Sequence, residues 1–342
     1  MKQEPKLLTR DEFREKVFER DGGLCVICKS PAKDAHHIME RRLFSDFGYY
    51  LDNGACLYHN HHVEAEQTIL SCDEIRRAAN IKNIILPSHL YTDSQYDKWG
   101  NLFIKNGKLR CPGELYWDHS VQKILNSVPQ EIPFTEYVKY PRTYHFPWSR
   151  YITDDDRVKN ELDMFNEEIV MTEKMDGENT TIYQNHLHAR SLDSESHWTQ
   201  SWVRQLQSQI GYELPDGWRI CGENLYAQHS ISYDNLKSYF YLFSIWNEKN
   251  ECLSWDDTLE WASLLNLEVV PTIYRGKWED EPKKIHELWT QKFDETKNEG
   301  YVIRVTKSFQ YSQFRKCVGK YVRKGHVTSS THWKYDRIEK IN

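Results

Sequence analysis

The chain has 342 residues, 39% of them hydrophobic and 28% charged, with a net charge of −6 at neutral pH. That length suits two domains that each bury a core, and no apolar run approaches the ~20 residues of a membrane-spanning helix, which argues against membrane insertion. The opening stretch MKQEPKLLTRDEFREKVFERD is charged and acid-rich rather than a secretory or transit peptide, so the expected compartment is the cytoplasm, where the eight cysteines read as thiols or metal ligands.

In chain order, Phe13, Val17 and Phe18 mark the apolar face of a first helix leading into DGGLCVICKSPAKDAHHIME. DNGACLYHNHHVEAEQTILS reads as a turn followed by a short helix, and DEIRRAANI as another helix. WGNLFIKNGKLRCPGEL carries two extended runs joined by Asn106-Gly107, a hairpin signal, and YWDHSVQKILNSV reads as a closing helix. The proline-rich PQEIPFTEYVKYPRTYHFPW puts a domain boundary near residue 130, giving domains at 1–130 and 131–342. Beyond it, EEIVMTEKM, TTIYQNHLHARS, WRICGENLYA, SYFYLFSIW and EGYVIRVT read as strands, with helices at SWVRQLQSQI and WDDTLEWASLL. The pattern predicts an α+β class, mainly antiparallel in the second domain. From Arg304 onward ten Lys or Arg face only Asp336 and Glu339, a basic stretch on an acidic protein.

Two clusters carry chemistry. Adjacent His36 and His37 on a strand would point to opposite faces, so one can hold a metal while the other faces a substrate. His62 and Glu66, four apart, share one helix face as a two-ligand metal clasp requires, and Cys25 and Cys28 also have ligand spacing. CVIC, AHHI, LDNGACL and NHHVEAE, over roughly residues 13–67, resemble the HNH, or ββα-metal, nuclease family. The resemblance implies His37 as general base on water, Asn53 orienting that imidazole, and His36 and His62 as ligands of one divalent metal, with Glu66 in the place of a further ligand. Products would be a 3'-hydroxyl and a 5'-phosphate. The sequence departs from the family at a structural zinc site: Tyr58 and His61 stand where a second cysteine pair is expected. That leaves Cys25, Cys28 and His61, with Cys56 or His59 as substitutes. A metal-bound nucleic-acid reader without nuclease activity is the alternative.

In the second block, Lys174 follows an apolar run in Lys-x-Asp-Gly, and HARS with Arg190, CGEN with Glu223, YFYLFSIW, EGYVIR with Glu299 and FRKCVGKYVRK follow in order. Together these strings, from about YPRTYHFPWS to the C-terminus, resemble the covalent nucleotidyltransferase superfamily, most closely the RNA ligase 2-type ATP-dependent RNA ligases. The resemblance implies an antiparallel α+β nucleotidyltransferase fold without a C-terminal OB domain, ATP as substrate and magnesium or manganese as cofactor. It makes Lys174 the nucleophile that becomes lysine–AMP, its pKa lowered by neighbouring cations. It assigns Asn179 to the nucleotide phosphate, Arg190 to the nucleic-acid end or pyrophosphate, Glu223 to ribose, Phe243 to adenine stacking, and Glu299 to the metal. Lys316 and Lys320, with Arg323 as a competitor, would contact the α-phosphate. Of Phe240, Tyr241 and Phe243, two are expected in the core. Met175 is expected to point into the core, Asp176 and Gly177 to shape the turn, and Gly177 to let the loop approach the nucleotide. The combined expectation is a ligase joining 3'-hydroxyl to 5'-phosphate ends, fused to a nuclease, acting on RNA, DNA or hybrid breaks in repair or in cut-and-reseal. The basic tail and first domain would grip the strand. A GTP-using capping guanylyltransferase also carries Lys-x-Asp-Gly and stays open.

Overall fold

The computed structural model describes residues 5–153, 156–159, 162, 167–192, 197–278, 282–294 and 297–324. Contacts divide the chain into two compact units, 1–138 and 139–342.

In the first unit, helix α1 (Arg10–Asp21) starts at a capping box between Thr9 and Glu12 and stops at Gly22 in left-handed backbone. Its buried Phe13 and Val17 pack with Cys56. Cys56 lies on β2 (Gly54–Leu57), which pairs antiparallel with β1 (Asp34–His37), His36 opposite Ala55 and His37 opposite Gly54. Strand β2 sits where the sequence reads as a turn leading straight into a helix. All four of its residues are buried, so no alternation marks it. Helix α2 (His59–Glu66) follows at once. Helix α3 (Cys72–Ala78) opens on a Ser71–Glu74 capping box. Strands β3 (Leu102–Ile104) and β4 (Leu109–Cys111) form the hairpin expected from Asn106-Gly107, with Lys105, Asn106 and Gly107 all at positive φ. Helix α4 (His119–Leu125), capped by Asp118, follows them.

The second unit is mixed α+β and rich in antiparallel pairing. In chain order it runs β5 (Tyr144–His145), β6 (Glu168–Lys174), β7 (Glu178–Tyr183), β8 (Leu187–Ala189), α5 (Ser201–Ile210), β9 (Arg219–Asn224), β10 (Phe240–Trp246) and β11 (Glu251–Cys252). It continues with α6 (Trp255–Leu264), β12 (Glu268–Val269), β13 (Thr272–Lys277), α7 (Pro282–Thr290), β14 (Gly300–Val305), β15 (Phe309–Gln310), α8 (Phe314–Cys317) and β16 (Val318–Val322). One sheet has the order β13-β6-β14-β16-β5, the other β15-β11-β10-β9-β7-β8 with β12 paired to β10. Met171, Tyr301 and Tyr321 of the first meet Cys221 and Trp246 of the second in one core. Helices α5 and α6 cover the second sheet through Val203 and Ala262, packed with Ile182 and Ile245. Among the described residues no helix is long and apolar enough to cross a membrane. The basic tail from residue 325 lies outside the described residues.

Candidate functional site

Lys174 ends β6, in register with Gly300 of the neighbouring β14. Glu299, one residue earlier, therefore comes alongside it, and the ammonium donates to Glu299 Oε2 at 2.6 Å. The next residues leave the strand for reasons visible in their contacts. Met175 is buried with Leu225 and Trp255. The Asp176 Oδ2 accepts from the backbone N–H groups of Ser230 and Ile231, at 2.8 and 3.0 Å. The Gly177 N–H donates to Glu223 Oε1 at 3.0 Å, and a Cβ on Gly177 would meet the Asn224 carbonyl oxygen at 2.5 Å. The close passage of β9 thus requires a glycine here, and Gly177 also lines the cavity described next.

Lys174 lines a cavity of about 260 Å³ with Asn179, Arg190, Glu223, Phe243 and Lys320. Asn179 stands in register with Glu223 across β7 and β9, and its buried Oδ1 has no hydrogen-bond partner. Phe240 and Tyr241 are buried, whereas Phe243 is half-buried at the cavity and packs edge-on against Tyr140.

The charge around the lysine is the reverse of expectation. Burial pulls the Lys174 amine down, but Glu299, Glu223 and Asp176 outweigh it and its pKa is pushed up to about 12. Burial likewise pushes the Glu223 carboxyl up to about 8, against the pull of the Lys174 ammonium. These carboxylates therefore favour the protonated form of Lys174 over the free amine.

An RNA ligase family model matches residues 167–322. Among solved structures, a putative ATP-dependent DNA ligase from Aquifex aeolicus is similar at 21% identity, over 58% of this chain and 55% of that one, with a TM-score of 0.42. An archaeal ATP-dependent RNA ligase is similar at 16% identity over 54% and 48%, TM-score 0.41. A variant Naegleria gruberi RNA ligase with ATP and manganese follows at 17% identity over 56% and 61%, TM-score 0.36. In each of these three comparisons less than two thirds of the other protein's length is spanned. None of the curated proteins matches the chain.

Within the matched stretch, Lys316, expected at the α-phosphate, is exposed on α8 and is not among the residues that line the cavity. Because side chains alternate along a strand, the residue sharing a face with Lys320 on β16 is Val318, and both line the cavity. Arg323 donates instead to the Asn298 carbonyl, at 2.7 Å. Lys320 is held down to about 8 by burial and by Lys174. Glu173, buried beside Lys174 and bonded to Asn298 at 2.6 Å, is a cavity residue that no sequence pattern indicated.

In the first unit, His36, His62 and Glu66 bring one potential ligand atom each within 4.8 Å of one another. His36 is buried with neither ring nitrogen hydrogen-bonded; Glu66 Oε1 lies 3.6 Å from its Nδ1 and 3.3 Å from His62 Nε2. His37, on the opposite face of β1, stacks on Phe13 with ring centroids 4.5 Å apart. Burial, then Lys98 and Arg41, bring it down to about 4. Asn53 does not orient this imidazole, contrary to expectation. Its buried side chain accepts from the Met39 N–H at 2.9 Å and donates to the Met39 and Gly48 carbonyls, closing the loop that joins β1 to β2. Cys25, Cys28 and His61 form a second three-atom group. Hydrogen bonds from Ser30 bring the Cys28 thiol down to about 7. Cys56 does not join it: burial pushes that thiol up to about 12, and it faces the Val17 carbonyl. His59 is exposed and outside that group. Lys98, buried 3.2 Å from Glu66 and donating to the His37 carbonyl at 2.7 Å, was invisible in sequence because no motif surrounds it.

Proposed function

We propose that the second unit is an ATP-dependent polynucleotide ligase that joins 3'-hydroxyl to 5'-phosphate ends, and that the first unit is a metal-dependent HNH endonuclease. The observation that carries the ligase reading is Lys174 at a cavity that also holds Asn179, Glu223, Phe243 and Lys320, inside a stretch matching the RNA ligase family. In this reading Lys174 loses its proton, with Glu299 Oε2 2.6 Å away to accept it. The free amine attacks the α-phosphorus of ATP. An N–P bond forms as the bond to the β-phosphate oxygen breaks, and pyrophosphate leaves with the electron pair. A nucleic-acid 5'-phosphate then takes the AMP from Nζ, and a 3'-hydroxyl displaces AMP to close the break.

Lys320 meets the charge that develops on the α-phosphate. Phe243 offers its ring to adenine, Glu223 a carboxylate to ribose, Asn179 a contact to phosphate, and Arg190 a cation to pyrophosphate or the nucleic-acid end. Glu299, once it has passed that proton to solvent, would be the hard oxygen donor that magnesium or manganese takes. Such an ion, when bound, supplies positive charge that offsets these carboxylates and the phosphates.

Incubation with ATP labelled on the α-phosphate should leave label covalently on the protein, and Lys174→Ala should abolish it. Label from GTP alone would instead support capping. Nicked duplexes with RNA or DNA on the 3'-hydroxyl side then identify the substrate.

The nuclease reading is supported by the β1–β2 hairpin leading into α2 and by the convergence of His36, His62 and Glu66. The ring nitrogens of His36, neither of them hydrogen-bonded, suit a divalent metal, which would stabilise charge on the cleaved phosphate. His37, a neutral imidazole on the opposite face of β1 from His36, would take the proton from water. Cys25, Cys28 and His61 suit zinc, with thiolate and imidazole ligands. Cutting that is lost in a folded His37→Ala variant is the expected result. Wild-type protein with no metal-dependent cutting would leave the unit as a nucleic-acid reader.

A further inference from the structure

We propose that Asp156 is a positioning residue for Lys320, held for that task by His145, so that the charge offered to the α-phosphate is set by a side chain outside every ligase motif. The inference rests on the ligase reading and adds a residue to it.

Register builds the arrangement. Strand β5 runs parallel to β16 with His145 directly beside Lys320. On the other side of β5, the His145 N–H donates to the Arg157 carbonyl at 2.8 Å and its carbonyl accepts from the Lys159 N–H at 2.7 Å. Asp156 is therefore delivered next to both side chains by backbone pairing. Its Oδ2 is occupied by Thr153, accepting from the backbone N–H at 3.1 Å and the hydroxyl at 2.8 Å. Its Oδ1 faces His145 Nε2 at 3.3 Å and Lys320 Nζ at 3.7 Å.

The far side of the ring faces a hydroxyl. His145 Nδ1 lies 2.8 Å from the Ser149 hydroxyl, which accepts from the Val322 N–H at 2.9 Å. The Asp156 charge favours a hydrogen on Nε2, and Nδ1 then accepts from Ser149, whose hydroxyl also lies 3.3 Å from the Val322 carbonyl. Burial opposes ionisation of Asp156, but His145 and Lys320 hold its carboxyl well below the ordinary range, and it is an anion.

Lys320 needs such a partner. It shares the cavity with Lys174 and Arg190, and cations that repel it would otherwise swing its flexible stem away. A fixed carboxylate beside β16 holds the ammonium in place at little entropic cost on reaching the transition state.

The test is a double-mutant cycle on the full-length protein, reading the rate of covalent AMP formation from α-labelled ATP across ATP concentrations. Asp156→Asn should slow the step about tenfold at saturating ATP while leaving the concentration for half-maximal rate nearly unchanged. Asp156→Glu should recover part of the loss. In a Lys320→Ala background, Asp156→Asn should add nothing. An equal loss in both backgrounds, or no loss in either, overturns the proposal. If Asp156→Asn fails to fold by circular dichroism, His145→Leu is carried through the same cycle, with the same outcomes deciding. Wild-type protein that forms no adduct overturns the ligase reading and this inference together. An adduct-forming wild type with an indifferent Asp156→Asn overturns this inference alone.

Discussion

At Lys174 two forces oppose each other, and their balance gives a definite sign. Burial favours the free amine, while Glu299, Glu223 and Asp176 favour the ammonium and win. Removing one carboxylate should let burial prevail. In ligand-free Glu299→Gln protein, the pH midpoint for trapping Lys174 with an amine reagent, followed by peptide mass spectrometry, should fall by about one unit or more. An unchanged midpoint would mean that Glu299 is not what holds the proton. The same residue scale explains why Lys-x-Asp-Gly was legible: each member has its own contact, with Met175 in the core, Asp176 on the Ser230 and Ile231 amides and Gly177 under Asn224. The string does not disclose the sign of the field, because Glu223 and Glu299 arrive from β9 and from the residue before β14.

Strand geometry decides which lysine of FRKCVGKYVRK matters. Lys320 lines the cavity and Lys316 is exposed, so Lys320→Ala should slow adenylation by roughly 10²–10³, whereas Lys316→Ala should stay within about twofold. Equal losses in the two variants would refute the assignment. The tight passage of β9 past Gly177 gives a stability prediction. Gly177→Ala puts a methyl against backbone that cannot swing away and should cost about 1–3 kcal/mol, read as a lower Tm. In the first unit, α2 delivers His62 and Glu66 together because they are one turn apart, and β1 supplies His36. Manganese should therefore raise the Tm of the first unit's unfolding transition in the wild type, and His36→Ala together with His62→Ala should remove that shift.

Over the whole chain, the division into units at 1–138 and 139–342 sets apart the two groups of chemical residues. Lys174→Ala should abolish adenylation and leave any metal-dependent cutting intact, while His37→Ala should do the reverse. Loss of both activities in either variant would show that the units do not act separately. The sequence by itself marked strands at EEIVMTEKM, WRICGENLYA, SYFYLFSIW and EGYVIRVT, the helices SWVRQLQSQI and WDDTLEWASLL, and the ordered strings around Lys174 and His36. TTIYQNHLHARS folds as two strands, β7 and β8, and β11, β12, β13 and α7 were not marked. The marked features are local: their periods, caps and turn residues lie within a few positions of one another. Only tertiary structure decided that Asn53 ties a loop rather than a histidine, that Lys316 faces away, and that Asp156, Lys98 and Glu173 stand beside the reactive groups. Those placements depend on strand register and on which face a side chain leaves from, and register is fixed by partners far along the chain.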